Sequence, residues 1–331
     1  MPHLDAPPAV SVVVPSRGRA LRLRWLLNAL EEQTLPREEW EAVVVHDYDA
    51  ATAARIIESH PLHSAGVLRH VATEPRARGL GGRQNIGRQR NTGWREARAE
   101  LVAFTDDDCR PAPEWLELLV RRARCSPGAV VQGATRPEPF EAEVSRAPHA
   151  RILEVKPVTW FAQTGNILYP RALLDQLGGF DERTLSAEDV ELWARARAAG
   201  GTMVPEPRAV VFHAIESHTL PGSVRRKLHR RDVPYVLSRH PELRTNLTLR
   251  LFLTDDHLRI TAALLGLAGA RARPWLAALA VPYAIRLSRR RGGGPKARVM
   301  ALAEAPGQGV REAADLLTLA AGSVRHRTVV L

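Results

Sequence analysis

The chain has 331 residues, 45% of them hydrophobic and 25% charged, an ordinary balance for a globular protein with room for one large α/β domain and a smaller region. Its two cysteines, Cys109 and Cys125, exclude a disulfide framework and a cysteine-metal site and point to a reducing compartment. The net charge of +11 is unevenly placed: residues 1–217 hold 27 Lys and Arg against 29 Asp and Glu, and residues 218–331 hold 20 against 7. Coding bias explains why Arg outnumbers Lys 44 to 3, but not this segregation. The basic third suits anionic lipid, nucleic acid or phosphorylated ligands.

In chain order, MPHLDAPPAV has no basic segment followed by an apolar one, so no secretory signal is expected. VSVVV, residues 10–14, reads as a buried parallel strand. The loop PSRGR follows, then a helix with Leu23, Leu26, Leu27 and Leu30 at helical spacing. EAVVVHD is a second strand ending in an acid, 50–59 a helix, and GVLRHV a third strand. A loop rich in Gly and Arg, EPRARGLGGRQN, leads to a helix over 86–98 and a fourth strand, LVAFT. After DDDCRPAPEWL a helix runs to about Arg124, and GAVVQGAT is a fifth strand. Residues 136–163 read as a long loop. A Pro-started helix over 170–177, a GGF turn, a helix opened by Ser186 and Asp189 as a capping box, and two short strands near 202–204 and 208–212 close the region at His213. This alternation predicts a doubly wound, mostly parallel sheet that binds ligands at the carboxyl ends of its strands. The expected division is an α/β domain over 1–217 and a basic helical region over 218–331.

Asp106, Asp107 and Asp108 sit together at the end of a buried strand, where like charges raise one another's pKa unless compensated. In extended geometry Asp106 and Asp108 face one side. Two converging carboxylates suit a hard divalent cation, Mn²⁺ or Mg²⁺, with open positions for a diphosphate. The alternative is that these acids cap the helix starting near Pro113 and pair with Arg110. The loop lacks the Gly and distal Glu of a calcium hand.

SVVVPSRGRALRLRWLLNALEEQ, VVVHDYD, NIGRQRNTGWREARAELVAFTDDDCRPAPEWL, GNILYPRALLDQLGGFDE and AEDVELWARARAAGG, in that order over about residues 10–213, resemble family 2 of the inverting glycosyltransferases. The resemblance implies the GT-A fold, a nucleotide-diphospho sugar donor and Mn²⁺ or Mg²⁺. It implies nucleotide-sugar binding by Pro15 and Arg17 in the first loop, and by Asp47, which contacts the base. Here His46-Asp47-Tyr48-Asp49 stands where the family often has D-D-G-S. Arg90 and Asn91 match the R-N under the nucleotide, with Arg90 placed to pair with Asp106 or a phosphate. Asp106 faces ribose or base, Asp107 is the variable middle residue, and Asp108 holds the metal, with Asp106 and His213 completing the set. Gly165 and Asn166 shape the donor-sugar and acceptor site. Glu188 and Asp189 form the catalytic pair, with Asp189 as general base.

The Q-x-x-R-W motif of processive relatives is not found; KLHRR at 227–231 is its nearest counterpart, which implies transfer of one or a few sugars. Two apolar runs, 260–270 and 275–285, flank RARP and adjoin clustered Arg. Each is too short to span a core of about 30 Å, and together they fit a hairpin lying on an anionic inner membrane face. A soluble helical subdomain is the alternative. The expected protein is cytoplasmic and peripheral to that membrane, acting on a lipid-linked or cell-envelope glycan, with no nucleic-acid partner. The competing functions are an inactive nucleotide-sugar-binding partner protein and a nucleotidyltransferase.

Overall fold

The computed structural model describes residues 7–74, 86–289 and 294–331. The Gly- and Arg-rich stretch 75–85 and part of the basic run 289–298 lie outside the described residues. The chain divides into two compact units, Met1–Arg146 with Arg151–Glu216, and Ala147–Ala150 with Ser217–Leu331.

The first unit is built on one eight-stranded sheet. Its strands are β1 (Val10–Ser16), β2 (Trp40–His46), β3 (Leu68–Ala72), β4 (Leu101–Thr105), β5 (Cys109–Pro111), β6 (Val130–Pro137), β7 (Asn166–Pro170) and β8 (Met203–His213). They lie in the order β3-β2-β1-β4-β7-β6-β8-β5. The first four are mutually parallel, β7 is antiparallel to both β4 and β6, and β6 and β8 are parallel. The carboxyl ends of β1, β2, β4 and β8 therefore share one edge of the sheet. This is the expected α/β class, a mostly parallel sheet of GT-A type, with helices following it in the chain.

Alternation along β1 explains the two cores. Val10, Val12 and Val14 face one side and pack with Leu23, Leu26, Leu27 and Leu30 of α1 (Ala20–Glu31). Val13 faces the other side, with Trp94, Phe104, Tyr169, Leu192 and Trp193. Trp193 is thus a core residue. Gly93 lets its helix approach β1: a Cβ there would lie 2.4 Å from Val13 Cγ1. Residues 50–58 are helical as read, with α2 (Ala50–Ala53) passing into a wider π turn, and α3 (Pro61–Ser64) follows. The helices α4 (Ile86–Glu96), α5 (Trp115–Arg124), α6 (Arg171–Leu177) and α7 (Glu188–Ala198) complete this unit.

The structure adds two strands and corrects two local readings. Cys109–Pro111 is the edge strand β5, paired antiparallel with β8. Asn166–Pro170 is a strand, hidden in the sequence because its five residues run straight into α6. The two expected strands before His213 are one strand, kept continuous by a register shift opposite Gly133 and Ala134. No capping box opens α7: its N-cap is Ala187 at φ 60°, with no side-chain cap.

The second unit holds α8 (Leu220–Lys227), α9 (Val233–Arg239), α10 (Asp255–Gly269), α11 (Val281–Ser288) and α12 (Pro295–His326). Its long helix buries a row of polar residues beside Ala301 and Leu319. α12 buries Gln308, Glu312, Asp315 and Thr318 and exposes Val299, Leu302, Leu317 and Val324. Asp315, wholly buried, accepts hydrogen bonds from Lys227 Nζ and Arg230 Nη1, both at 2.6 Å, and faces His257 Nε2 at 3.2 Å. Burial opposes its charge, but these partners outweigh burial and hold its carboxyl down at about 2. Two residues of the KLHRR run are therefore engaged within this unit.

Candidate functional site

The shared sheet edge collects most of the residues singled out in the sequence. Pro15 lies in β1, paired in register with Val45. Arg17 follows β1, Asp47 follows β2, and the three aspartates follow β4. Gly165 and Asn166 reach the same edge because Asn166 pairs with Thr105 across the antiparallel β4–β7 ladder.

The compensation of the triple aspartate is visible. Asp107, fully buried, accepts from Ser16 Oγ at 2.7 Å and from the Arg17 backbone N–H at 3.2 Å through Oδ2. Its Oδ1 makes no directed hydrogen bond and is met by the charge of Arg19 Nη2. Burial pushes its carboxyl up to about 6 even so. Asp108 Oδ2 receives Arg19 Nη1. Asp106 Oδ1 receives Arg90 Nη2 at 2.8 Å; burial works against its charge, and Arg90 overcomes it, holding the carboxyl below its usual range. The capping alternative is not what forms: α5 has no side-chain cap, and Arg110 forms a bidentate pair with Glu138 at 2.8 and 3.0 Å.

β5 explains His213. By folding back on β8, it pairs Cys109 with His213, and the Ala214 N–H bonds the Asp108 carbonyl at 2.9 Å. The His213 Nδ1–H donates to the Ala214 carbonyl at 2.7 Å. That puts a proton on Nδ1 and turns Nε2 toward Asp108 Oδ1, 3.7 Å away. An imidazole nitrogen and a carboxylate oxygen facing across such a gap, the first oriented by a backbone carbonyl, fit a divalent cation that takes the place of any proton on Nε2. Among the described residues no three His, Cys, Asp or Glu side chains form a ready-made metal cage. The fit is to a two-ligand protein site completed by ligand oxygens.

Arg90 joins this cluster to the start of α7. Its Nη1 meets Glu188 Oε1 at 2.6 Å while Nη2 holds Asp106. The guanidinium is buried and lies over the Phe180 ring. Asp189, next in the chain, is half-buried, and its Oδ1 accepts the adjacent Val190 N–H at 2.9 Å. Burial, then the Glu188 carboxylate, push the Asp189 carboxyl up to about 8 against the pull of Arg90.

Two expected ligand residues turn inward. Asn91 bonds the Phe180 carbonyl and Glu182 through Nδ2, both at 2.9 Å, and accepts from Phe180 N and Trp94 Nε1. It clamps the GGF turn, where Gly179 at φ 76° is required because a Cβ would lie 2.3 Å from Asn91 Oδ1. Asn166 Nδ2 bonds the Ala134 and Ala209 carbonyls, and its Oδ1 accepts from Trp115 Nε1, all at 2.8 Å. It ties together three elements beneath Gly165, whose own carbonyl accepts from Thr105 Oγ1 at 3.0 Å. The sequence reading missed Arg19, Ser16 and Glu216. The available signal was the need for a cation beside three carboxylates, with Arg17 and Arg19 both within reach of the same edge.

Comparison with known proteins places this arrangement. The family described as "Glycosyl transferase family 2" matches residues 11–178. The pre-mycofactocin glycosyltransferase of Mycobacterium tuberculosis is 28% identical over 246 residues, 70% of this chain and 48% of that protein. The validoxylamine A glucosyltransferase of Streptomyces hygroscopicus subsp. jinggangensis is 28% identical over 228 residues, 58% of this chain and 52% of that protein. The chain thus spans about half the length of these curated relatives. Among solved structures, the mannosyltransferase PcManGT from Pyrobaculum calidifontis, in complex with GDP-Man and Mn²⁺, superposes at a TM-score of 0.57 with 23% identity, covering 99% of this chain and 89% of that one. S. aureus TarS 1–349 in complex with UDP-GlcNAc gives 0.52 with 16% identity, over 96% and 92%. These two share the fold, and the family match extends from the second residue of β1 to the turn after α6. By that match, covering half its length, the chain belongs to glycosyl transferase family 2.

Proposed function

We propose that the protein transfers a sugar from a nucleotide-diphospho sugar to an acceptor hydroxyl, with inversion at the anomeric carbon. The observation that carries this reading is the division of acids around Arg90. Asp106 and Asp108 form one group, Glu188 and Asp189 form another at the start of α7, and the Arg90 guanidinium ties Asp106 to Glu188, the neighbour of Asp189. Inverting transfer needs that division: a base on the acceptor side and positive charge on the leaving-group side. Asp189 takes the acceptor hydroxyl proton on its second carboxylate oxygen, Oδ2. As it does, the acceptor oxygen bonds to the anomeric carbon, and the bond to the diphosphate oxygen breaks with its electron pair leaving on the nucleoside diphosphate. Mn²⁺ or Mg²⁺, when bound, stabilises charge on that leaving group; Asp108 and His213 would hold it, with Asp106 adjoining. Pro15, Arg17 and Asp47 line the nucleotide side, Asp107 fixes the first loop through Ser16, and Asn91 and Asn166 position the elements around the donor. Residues 1–217 are the catalytic region in this reading, and the lack of a Q-x-x-R-W motif supports non-processive transfer. A panel of UDP-, GDP- and dTDP-sugars, read by released nucleoside diphosphate with Mn²⁺ or chelator, tests it; one donor should turn over, with metal only. Metal-dependent binding without turnover on any acceptor would favour an inactive binding partner, and release of sugar 1-phosphate in place of nucleoside diphosphate a nucleotidyltransferase.

For residues 218–331 we propose a cytoplasmic, peripheral position on an anionic membrane, next to a lipid-linked or envelope glycan acceptor. The support is threefold. No helix among the described residues is long and apolar enough to cross a membrane. Leu264, Leu265, Leu267, Trp275, Leu279 and Ile285 are exposed on α10, α11 and the turn between them. Residues 257–303 contain nine Lys and Arg and no Asp or Glu. Arg259 and Arg286 pair with Asp256, and an apolar face flanked by the remaining excess of cations binds in the interfacial plane. The full chain should float with vesicles rich in phosphatidylglycerol, release in high salt, and lose binding in the double variant Leu265→Glu, Trp275→Glu. Equal recovery with neutral phosphatidylcholine vesicles, or none with either, would contradict the reading.

A further inference from the structure

Arg19 sits where a cation is needed. Its guanidinium spans Asp107 Oδ1 and Asp108 Oδ2, and Nη1 also lies 3.5 Å from Glu216 Oε1. The other oxygen of Asp108 faces His213 Nε2 across 3.7 Å. We infer that Arg19 is a resident, displaceable cation: it neutralises Asp107 and Asp108 in the metal-free protein and must release Asp108 before a divalent cation can be held there. The inference rests on the metal-assisted reading proposed above, and concerns a residue that reading does not use.

The geometry allows release at low cost. The Arg19 side chain is 40% exposed, whereas Asp107 and Asp108 are buried, so the arginine has open space to move into. It follows Gly18, which adopts φ 63° and has no atom within 4 Å of where a Cβ would lie, and it precedes the first turn of α1. Asp107 stays anchored without it, through Ser16 Oγ and the Arg17 N–H on Oδ2. Asp108 has no such second anchor on its side chain and is the group set free. Glu216 is the near alternative partner, and it is already shared with Arg151 at 3.5 Å.

Charge then dictates an order. With a divalent cation at Asp108, Arg19 becomes a surplus positive charge beside it, which disfavours the metal alone. An arriving diphosphate carries the negative charge that retains both. Arg19 should therefore make metal binding weak alone and strong with nucleoside diphosphate, a coupling between two ligands. It also keeps the carboxylates satisfied between turnovers.

The test is calorimetric titration of Mn²⁺ into the full-length protein, alone and with saturating UDP or GDP, for wild type, Arg19→Gln and Arg19→Lys. Removing a competing occupant raises apparent affinity by the inverse of the free fraction, about tenfold for an Asp108 free about one-tenth of the time. Arg19→Gln should tighten Mn²⁺ alone by about that factor and shrink the further tightening caused by the nucleotide, with Arg19→Lys between. The thermal midpoint of metal-free Arg19→Gln should fall and recover on Mn²⁺ addition by more than wild type gains. Equal Mn²⁺ affinity in wild type and both variants, with only the midpoint lowered, would overturn the inference and leave Arg19 a structural staple. Absence of Mn²⁺ binding in every protein, with and without nucleotide, would instead overturn the metal-assisted reading and the inference with it. Arg19→Lys guards against a misfolded Arg19→Gln, since it keeps the charge and loses only the fork.

Discussion

Asp189→Asn is expected to lower kcat/KM for sugar transfer by about 10²–10⁴-fold, the range for removing a positioned general base, while leaving nucleotide-sugar binding within about twofold of wild type. The isosteric amide keeps the Val190 N–H bond at Oδ1 and removes only the proton acceptor. The pH profile supplies a second signature. Asp189 acts when ionised, and its carboxyl is pushed up to about 8 by burial and by Glu188. Wild-type kcat/KM should therefore rise about tenfold per pH unit on approach to 8 and level off above it, and the Asn variant should lose that limb. Steady-state kinetics across pH 6–10 with one donor checks both. A variant retaining the wild-type slope would show that another group takes the proton.

Arg90→Met carries the largest expected loss of stability. It strips the partner from Asp106 Oδ1 and from Glu188 Oε1 at once and leaves two carboxylates facing each other without a cation. Breaking a buried ion pair by removing one partner costs about 3–5 kcal/mol. Asp106 retains some exposure, its side chain being 23% accessible, so the lower end of that range is expected. The sign with pH follows. Without Arg90, burial raises the Asp106 carboxyl above its unfolded value, so the deficit is greatest where it would be ionised and shrinks as pH falls and it protonates. Denaturant unfolding at pH 7.5 and pH 5 measures it: a larger gap from wild type at the higher pH supports the bridging role, and an equal gap at both would reduce Arg90 to packing.

What the sequence conveyed depended on periodicity and order. β1 and β2 each carry three consecutive valines because both their faces are covered, and α5 shows Trp115, Leu116, Leu119, Val120 and Ala123 on one face. Such signals are local and survive without knowledge of the fold. β5 and β7 do not: three and five residues, bounded by Pro111 and Pro170, have too little length for a period, and their identity comes from the partner strands. The site was legible in the same uneven way. Asp106, Asp108, Asp189 and His213 stand at element ends. The inward roles of Asn91 and Asn166 depend on carbonyls 89 and 43 positions away, and the pairing of Arg19 with Asp108 spans 89 positions. Contacts at such separations leave no pattern in a single chain, although the demand of three adjacent carboxylates for a cation can be stated from it.

The central claim is metal-assisted transfer from a nucleotide-diphospho sugar, and the most direct test is the donor panel run with wild type beside Asp108→Ala. The account predicts nucleoside diphosphate released from one donor, restored by Mn²⁺ after chelation, and reduced to background in Asp108→Ala, whose nearest loss is the oxygen facing His213. Undiminished release in Asp108→Ala, or release that persists fully in chelator, would contradict it.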